Sequence, residues 1–125
     1  MRLLYDAGGL ISLERGDHSS WVRLKSALVR REVPLTNAAV LGQVWRGGAR
    51  QARLAQAIAG IEVVALDEEL GQRAGALLWR SDTSDVVDAA LVLCARDGDE
   101  IVTSDAADLA PLARACGVHI ELVTP

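Results

Sequence analysis

Four aspartates and their spacing pose the chemical question. Asp6 directly follows the apolar run RLLY, Asp88 sits inside the apolar run VVDAALVLCA, and Asp105 ends the run EIVTSD. Asp85 lies three residues before Asp88, so on a helix the two share a face. An unpaired carboxylate is costly to bury, so Asp88 either points outward or meets something cationic. If Asp6, Asp88 and Asp105 converge, with Asp85 or Asp108 beside them, like-charge repulsion calls for a cation among them. Hard oxygen ligands favour Mg2+ or Mn2+ over Zn2+, and no His or Cys is placed to argue otherwise. Carboxylates around one or two such ions suit metal-assisted phosphodiester hydrolysis, in which water is activated and the leaving oxygen stabilised.

The elements that must position these groups follow from the alternation of the chain. Arg2–Tyr5, Val33–Thr36, Ile61–Leu66, Glu100–Ser104 and Val118–Val123 predict short strands. Pro34 puts the second of these at a strand start or an edge. Between them the spacing predicts helices over Ala7–Glu14, about 18–31, from Asn37 to Gly47 and Gly48, about 50–59, from Asp67 to Arg80, across VVDAALVLCA, and about 106–116. Asp17 and Asn37 are expected N-caps, and Trp21, Leu24 and Leu28 are expected on one face of the second helix. Strands alternating with helices predict an α/β fold with a parallel, helix-covered sheet in a single domain over residues 1–125. Such sheets bind ligands outside the carboxyl ends of their strands. Asp6, Asn37, Asp67 and Asp105 follow strands, and a helix running back begins at that same edge, which brings Asp85 and Asp88 there too.

Composition narrows the class. A 125-residue chain that is 50% hydrophobic supports one compact core. There is no Phe, which argues against an aromatic platform for stacked bases. Net charge is −4, so no broad basic field attracts nucleic acid. Lys25 is the only lysine; the remaining cations are arginines, whose forks suit phosphate. Arg15, Arg46, Arg50 and Arg53 suit solvated surface positions, with RNA or partner contact the alternative for each and Arg15 and Arg46 the chosen candidates; Arg50 and Arg53 share a helix face. Cys94 and Cys116 have no CxxC spacing and suit reduced thiols in a cytoplasmic protein. Trp21, Trp45 and Trp79 suit core or interface, and His18 and His119 carry no catalytic signal. No membrane span or signal pattern is visible, so a soluble cytoplasmic protein is expected.

The segments LLYDAGGLISLERGD, PLTNAAVLGQVWRGG and SDVVDAALVLCARDGDEIVTSDAADL together resemble a PIN-domain ribonuclease of the VapC toxin type, in order and over essentially the whole chain. The resemblance implies a three-layer α/β/α fold around a parallel sheet of about five strands. It implies a Mg2+- or Mn2+-dependent endoribonuclease, the toxin of a type II toxin–antitoxin pair. Its partners would be an RNA substrate, a cognate antitoxin that blocks the cleft and a second copy in a homodimer. It assigns metal ligation and catalysis to Asp6, Asp88 and Asp105, and matches Thr103 and Ser104 to the hydroxyl residues before the last Asp. The departure is Gln43, at the helix position where the family usually carries Glu; Gln ligates through its carbonyl without charge. Asp85 is placed to supply the missing charge. Asn37 is expected to cap its helix with its side chain near the site.

Plainer readings stand beside these. Asp6, Asp85 and Asp105 are each also in position to cap a helix, and Asp67 and Asp108 suit first-turn charges. Gln43 keeps open a PIN-like binding module with a weakened site that acts through a protein partner. A phospho-accepting receiver domain shares the length and the alternation, but the late lysine of receivers has no counterpart here.

Overall fold

A computed structural model describes residues 1–125. Five strands form one all-parallel sheet: β1 (Leu3–Tyr5), β2 (Leu35–Asn37), β3 (Glu62–Val64), β4 (Asp99–Val102) and β5 (Ile120–Val123). Their order across the sheet is β3-β2-β1-β4-β5. Parallel neighbours need crossovers, and seven α-helices provide them: α1 (Ala7–Glu14), α2 (His18–Val29), α3 (Ala38–Val44), α4 (Ala52–Ile58), α5 (Glu68–Ser81), α6 (Val86–Leu93) and α7 (Ala106–Ala115). Right-handed crossovers put the helices linking β1 to β2 to β3 on one face and those linking β3 to β4 to β5 on the other. The expected three-layer α/β/α architecture is therefore the one observed.

The central strand β1 is buried along its whole length, as an interior parallel strand covered on both faces must be. Helix α6 packs on the sheet at β2 and against the helices α3, α5 and α7. Four consecutive residues, Ala89–Val92, are completely buried, which is why its run is apolar all round. On α2 the buried stripe is Ser20, Leu24 and Ala27, rotated from the expected Trp21, Leu24 and Leu28. Trp21 is only half-buried, and its indole N–H donates to the Leu13 carbonyl at 2.9 Å. Leu28 is 38% exposed.

Two other boundaries moved for identifiable reasons. The second strand begins at Leu35, directly after Pro34, and it is interior rather than an edge. Helix α3 stops at Val44 instead of reaching the glycines. There the buried Gln51 side chain accepts from the Arg46 and Gly47 N–H groups at 2.7 and 2.9 Å. It donates to the Val44 carbonyl and to Glu14 Oε1, both at 2.8 Å. One side chain thus satisfies the helix end, and a 3-10 turn at Ala49–Gln51 leads into α4.

Two devices hold β1 against β4. The Asp99 carboxylate accepts from the Arg2 backbone N–H at 3.0 Å, from Arg2 Nη2 at 2.9 Å and from the Arg96 N–H at 2.8 Å. Burial alone would raise its pKa, but these donors and the Arg2 charge together hold it below the usual carboxylate range. The second device is the Gly8–Gly9 pair at the start of α1. A Cβ at Gly9 would lie 2.7 Å from the Val102 carbonyl oxygen and 2.9 Å from the Tyr5 ring. A Cβ at Gly8 would collide with the Ser104 hydroxyl. Only glycines let α1 sit this close to the end of β4.

Replacing Gly9 by Ala therefore forces backbone to move in a filled core. The Gly9→Ala protein should lose about 1–3 kcal/mol in urea unfolding, whereas Gly75→Ala, at an open helix position, should be neutral or stabilising.

Candidate active site

The strand order reverses at β1, so the crevice outside the carboxyl ends of β1 and β4 is the topological switch point of the sheet. The register Tyr5↔Val102 carries the chain out at both strand ends together. Asp6 leaves β1 there, with its N–H donating to the Val102 carbonyl at 3.2 Å, and Thr103–Asp105 leave β4 beside it. Helices α1, α6 and α7 all begin at this edge. The cleft between them, about 310 Å³, is lined by Asp6, Gly8, Gln43, Asp85, Asp88, Ser104, Asp105 and Asp108, with Ala7, Ile11 and Leu109 as its apolar part.

Asp6, Asp85, Asp88 and Asp105 are thus brought together, as expected, and Gln43 reaches the same cleft from α3. Asp6 is 7% exposed and also caps α1, accepting from the Gly9 N–H at 2.9 Å. Burial raises its pKa, against the Thr103 hydroxyl and the Gly9 and Gly8 N–H groups, and the charge of Asp105 adds to the rise. Asp85 is both an N-cap and a cleft residue: its Oδ1 accepts the Asp88 N–H at 3.0 Å. Asp105 occupies the N-cap position of α7 but makes no capping bond with its side chain. Its own N–H instead donates to Thr103 Oγ1 at 2.8 Å, which holds the turn and leaves the carboxylate to the cleft.

Asp88 feels the site most strongly. Its pKa is pushed up to about 6, first by burial and then by the charges of Asp85, Asp6, Asp108 and Asp105. No Lys or Arg lines the cleft to offset them. The positive ends of three helices offset part of the repulsion.

The remaining candidate residues stand in different places. Asp108 is a first-turn charge of α7, as expected, and also lines the cleft; its carboxyl is pushed up by a hydrogen bond from its side chain to Asp105 and by that residue's charge. Its spacing of three from Asp105 on α7 was the available signal. Asn37 caps α3 through the Ala39 N–H at 2.8 Å but is wholly buried and does not line the cleft. Arg46 is outside the cleft lining: its guanidinium donates to the Trp45 carbonyl at 2.7 Å and to the Gly42 and Gln43 carbonyls at 3.3 Å. Arg15 lies past the far end of α1. Ser104 lines the cleft, while Thr103 is fully buried beneath it. Asp67 caps α5 through the Leu70 N–H at 2.9 Å. It borders a separate groove of about 340 Å³ whose charges, such as Arg2, Glu62, Arg73 and Arg96, are of both signs.

Five carboxylates of one sign, all oxygen donors and without an opposing side-chain cation, fit a hard divalent ion. No three of them are already drawn around a single point. Fold and cleft together define a parallel α/β domain with an acidic pocket at its switch point. Compared with models of known protein families the chain matches none, and no curated protein gives a significant match. No helix is long and apolar enough to cross a membrane.

The crowding has a pH signature. Asp88 binds its proton more tightly folded than unfolded, so its contribution to stability is lost as pH rises from about 4 to about 6. The full shift corresponds to about 3 kcal/mol, which solvent in the open cleft screens to about 1–2 kcal/mol. Urea unfolding without divalent ions should find Asp88→Asn more stable than wild type by about 1 kcal/mol at pH 7 and equal to it at pH 4. A pH-independent difference would mean that the effect is not electrostatic.

Proposed function

We propose that the protein is a divalent-metal-dependent endoribonuclease resembling the VapC-type PIN toxins, with Asp6, Asp88 and Asp105 as the principal ligands and Asp85 in support. The observation that carries this reading is the uncompensated carboxylate cluster at the switch point, with Asp88 raised by the charges of four neighbours. The ordered sequence resemblance supports the same chemistry. Mg2+ or Mn2+, when bound, would supply charge neutralisation and Lewis acidity toward a phosphodiester oxygen.

The chain's own residues do the rest. Asp6 is immobilised by burial and by the Gly9 N–H, so it presents a fixed oxygen. Asp88 stands on the first turn of a rigid, buried helix. The Thr103 hydroxyl orders the turn that carries Asp105. A bare acidic cleft repels an RNA phosphate, so substrate entry depends on the ion being held first. Asp108 adds charge from α7 where Gln43 brings none from α3. An antitoxin that covers the cleft and a homodimer belong to the same proposal.

Purified, antitoxin-free protein should cleave RNA only with Mg2+ or Mn2+ present, and Asp6→Asn and Asp88→Asn should each lower the rate at least about 100-fold, the order of several kcal/mol of charge stabilisation. Cleavage by both variants at the wild-type rate would overturn the metal-site assignment.

Gln43, exposed at the cleft and uncharged, favours the second reading, a binding module with a weakened site. Calorimetric titration with Mn2+ separates the two. Micromolar affinity in wild type fits the enzyme; millimolar affinity that Gln43→Glu tightens fits the module.

A further inference from the structure

At the opposite end of α1 from the acidic cleft lies a pocket of about 230 Å³ lined by Gly16, His18, Trp21, Lys25, Arg53 and Gln56. From these residues we infer that the pocket is a phosphate-binding subsite for single-stranded RNA that runs along α1 from the cleft. This rests on the ribonuclease reading and adds to it where the strand is held.

The pocket has the opposite electrostatic character to the cleft. Its wall carries Lys25 and Arg53 and no carboxylate. Neither cation has a carboxylate partner; the three ion pairs of the chain are Arg2–Asp99, Arg30–Glu32 and His119–Glu121. Asp17, the nearest acid in sequence, is turned to its own helix, accepting from the Ser19 and Ser20 hydroxyls at 2.9 and 2.8 Å. In a chain of net charge −4 with a single lysine, two unpaired cations sharing one concavity stand out as a place for an anion.

The walls are held in place. Trp21 is fixed by its bond to the Leu13 carbonyl, and Lys25 Nζ stands 5.9 Å from the centre of its ring. Gly16 has φ +75°, and a Cβ there would come within 3.0–3.2 Å of the Arg53 side chain. Glycine therefore lets the guanidinium lie across the turn. His18 and the Gln56 amide add further polar groups.

Distance favours a polynucleotide over an isolated anion. α1 has 8 residues and is about 12 Å long, with Ala7, Gly8 and Ile11 in the cleft and Gly16, just past its end, in the pocket. A strand whose scissile phosphate is in the cleft can place another phosphate, a few nucleotides along, against Lys25 and Arg53. Positive charge along the backbone's path with an aromatic side chain beside it, here Trp21, is a sequence-tolerant way to hold single-stranded RNA.

The test titrates the full chain, with Ca2+ in place of Mg2+ or Mn2+ so that the cleft is neutralised while cleavage is suppressed, with a single-stranded RNA 12-mer and follows the three indole N–H signals by NMR. The Trp21 signal should shift while Trp79 stays still. The Lys25→Gln/Arg53→Gln variant should bind about tenfold more weakly, with the salt slope reduced by about 1–2. Arg114→Gln, which removes an α7 cation outside the pocket, should bind as wild type does. Unchanged affinity and slope in the double variant, or equal weakening by Arg114→Gln, overturns the subsite. A polyglutamate peptide that displaces the RNA at equal concentration overturns the phosphate assignment in favour of an acidic protein segment. RNA bound at Trp21 but never cleaved when Mn2+ is added leaves the subsite standing and removes the nuclease. Cleavage with no effect of the double variant does the reverse.

Discussion

The parallel pairing of β1 with β4 is the constraint on which the rest of the structure depends. These strands are about a hundred residues apart in sequence, and nothing local joins them. Their register rests on a nearly buried ion pair at the start, Arg2 with Asp99, and on two glycines at the end that let α1 close onto β4. A slip of one residue would turn every side chain of a strand to the other face. Asp6 and Asp105 would then no longer open on one crevice. The pair does not stabilise the fold by charge alone. A buried ion pair gains little over apolar packing, but losing one partner leaves the other buried and unpaired. The pair matters most through the cost of losing either partner.

The cleft shows the opposite balance. Its carboxylates raise one another, and burial at Asp6 and Asp88 adds to this. Helix N-termini and capping bonds to Asp6 and Asp85 offset part of the cost, since each such interaction is worth about 0.5–2 kcal/mol. The remainder is a strain that a bound cation would remove. Natural proteins concentrate such violations at functional sites, and this one lies at the switch point where ligands of parallel sheets bind. The basic pocket at the other end of α1 makes the molecule electrically polar along that helix.

The fold was largely legible in the sequence because hydrophobic period reports directly on strand and helix. Short apolar runs such as LLY and EIV have one buried outcome in a parallel sheet, and the alternation orders them. Boundaries were less legible where a distant side chain intervened. Helix α3 ends three residues before its glycines because the buried Gln51 holds the chain, and no local pattern announces that. The stripe on α2 was misplaced because small residues, Ser20 and Ala27, were packed inward where bulk suggested Trp21 and Leu28.

What the sequence determined by itself was the type of each element and which aspartates would stand at the carboxyl edge of the sheet. Both follow from backbone period and from the one-way sense of parallel strands. Tertiary structure decided which polar groups share the cleft. Asp108 enters it, Asn37 is buried at a helix cap, and Arg46 folds onto its own helix end. The direction of a polar side chain is set by the backbone donor or acceptor nearest to it in space. Those partners are fixed only when the strands have paired and the helices have packed.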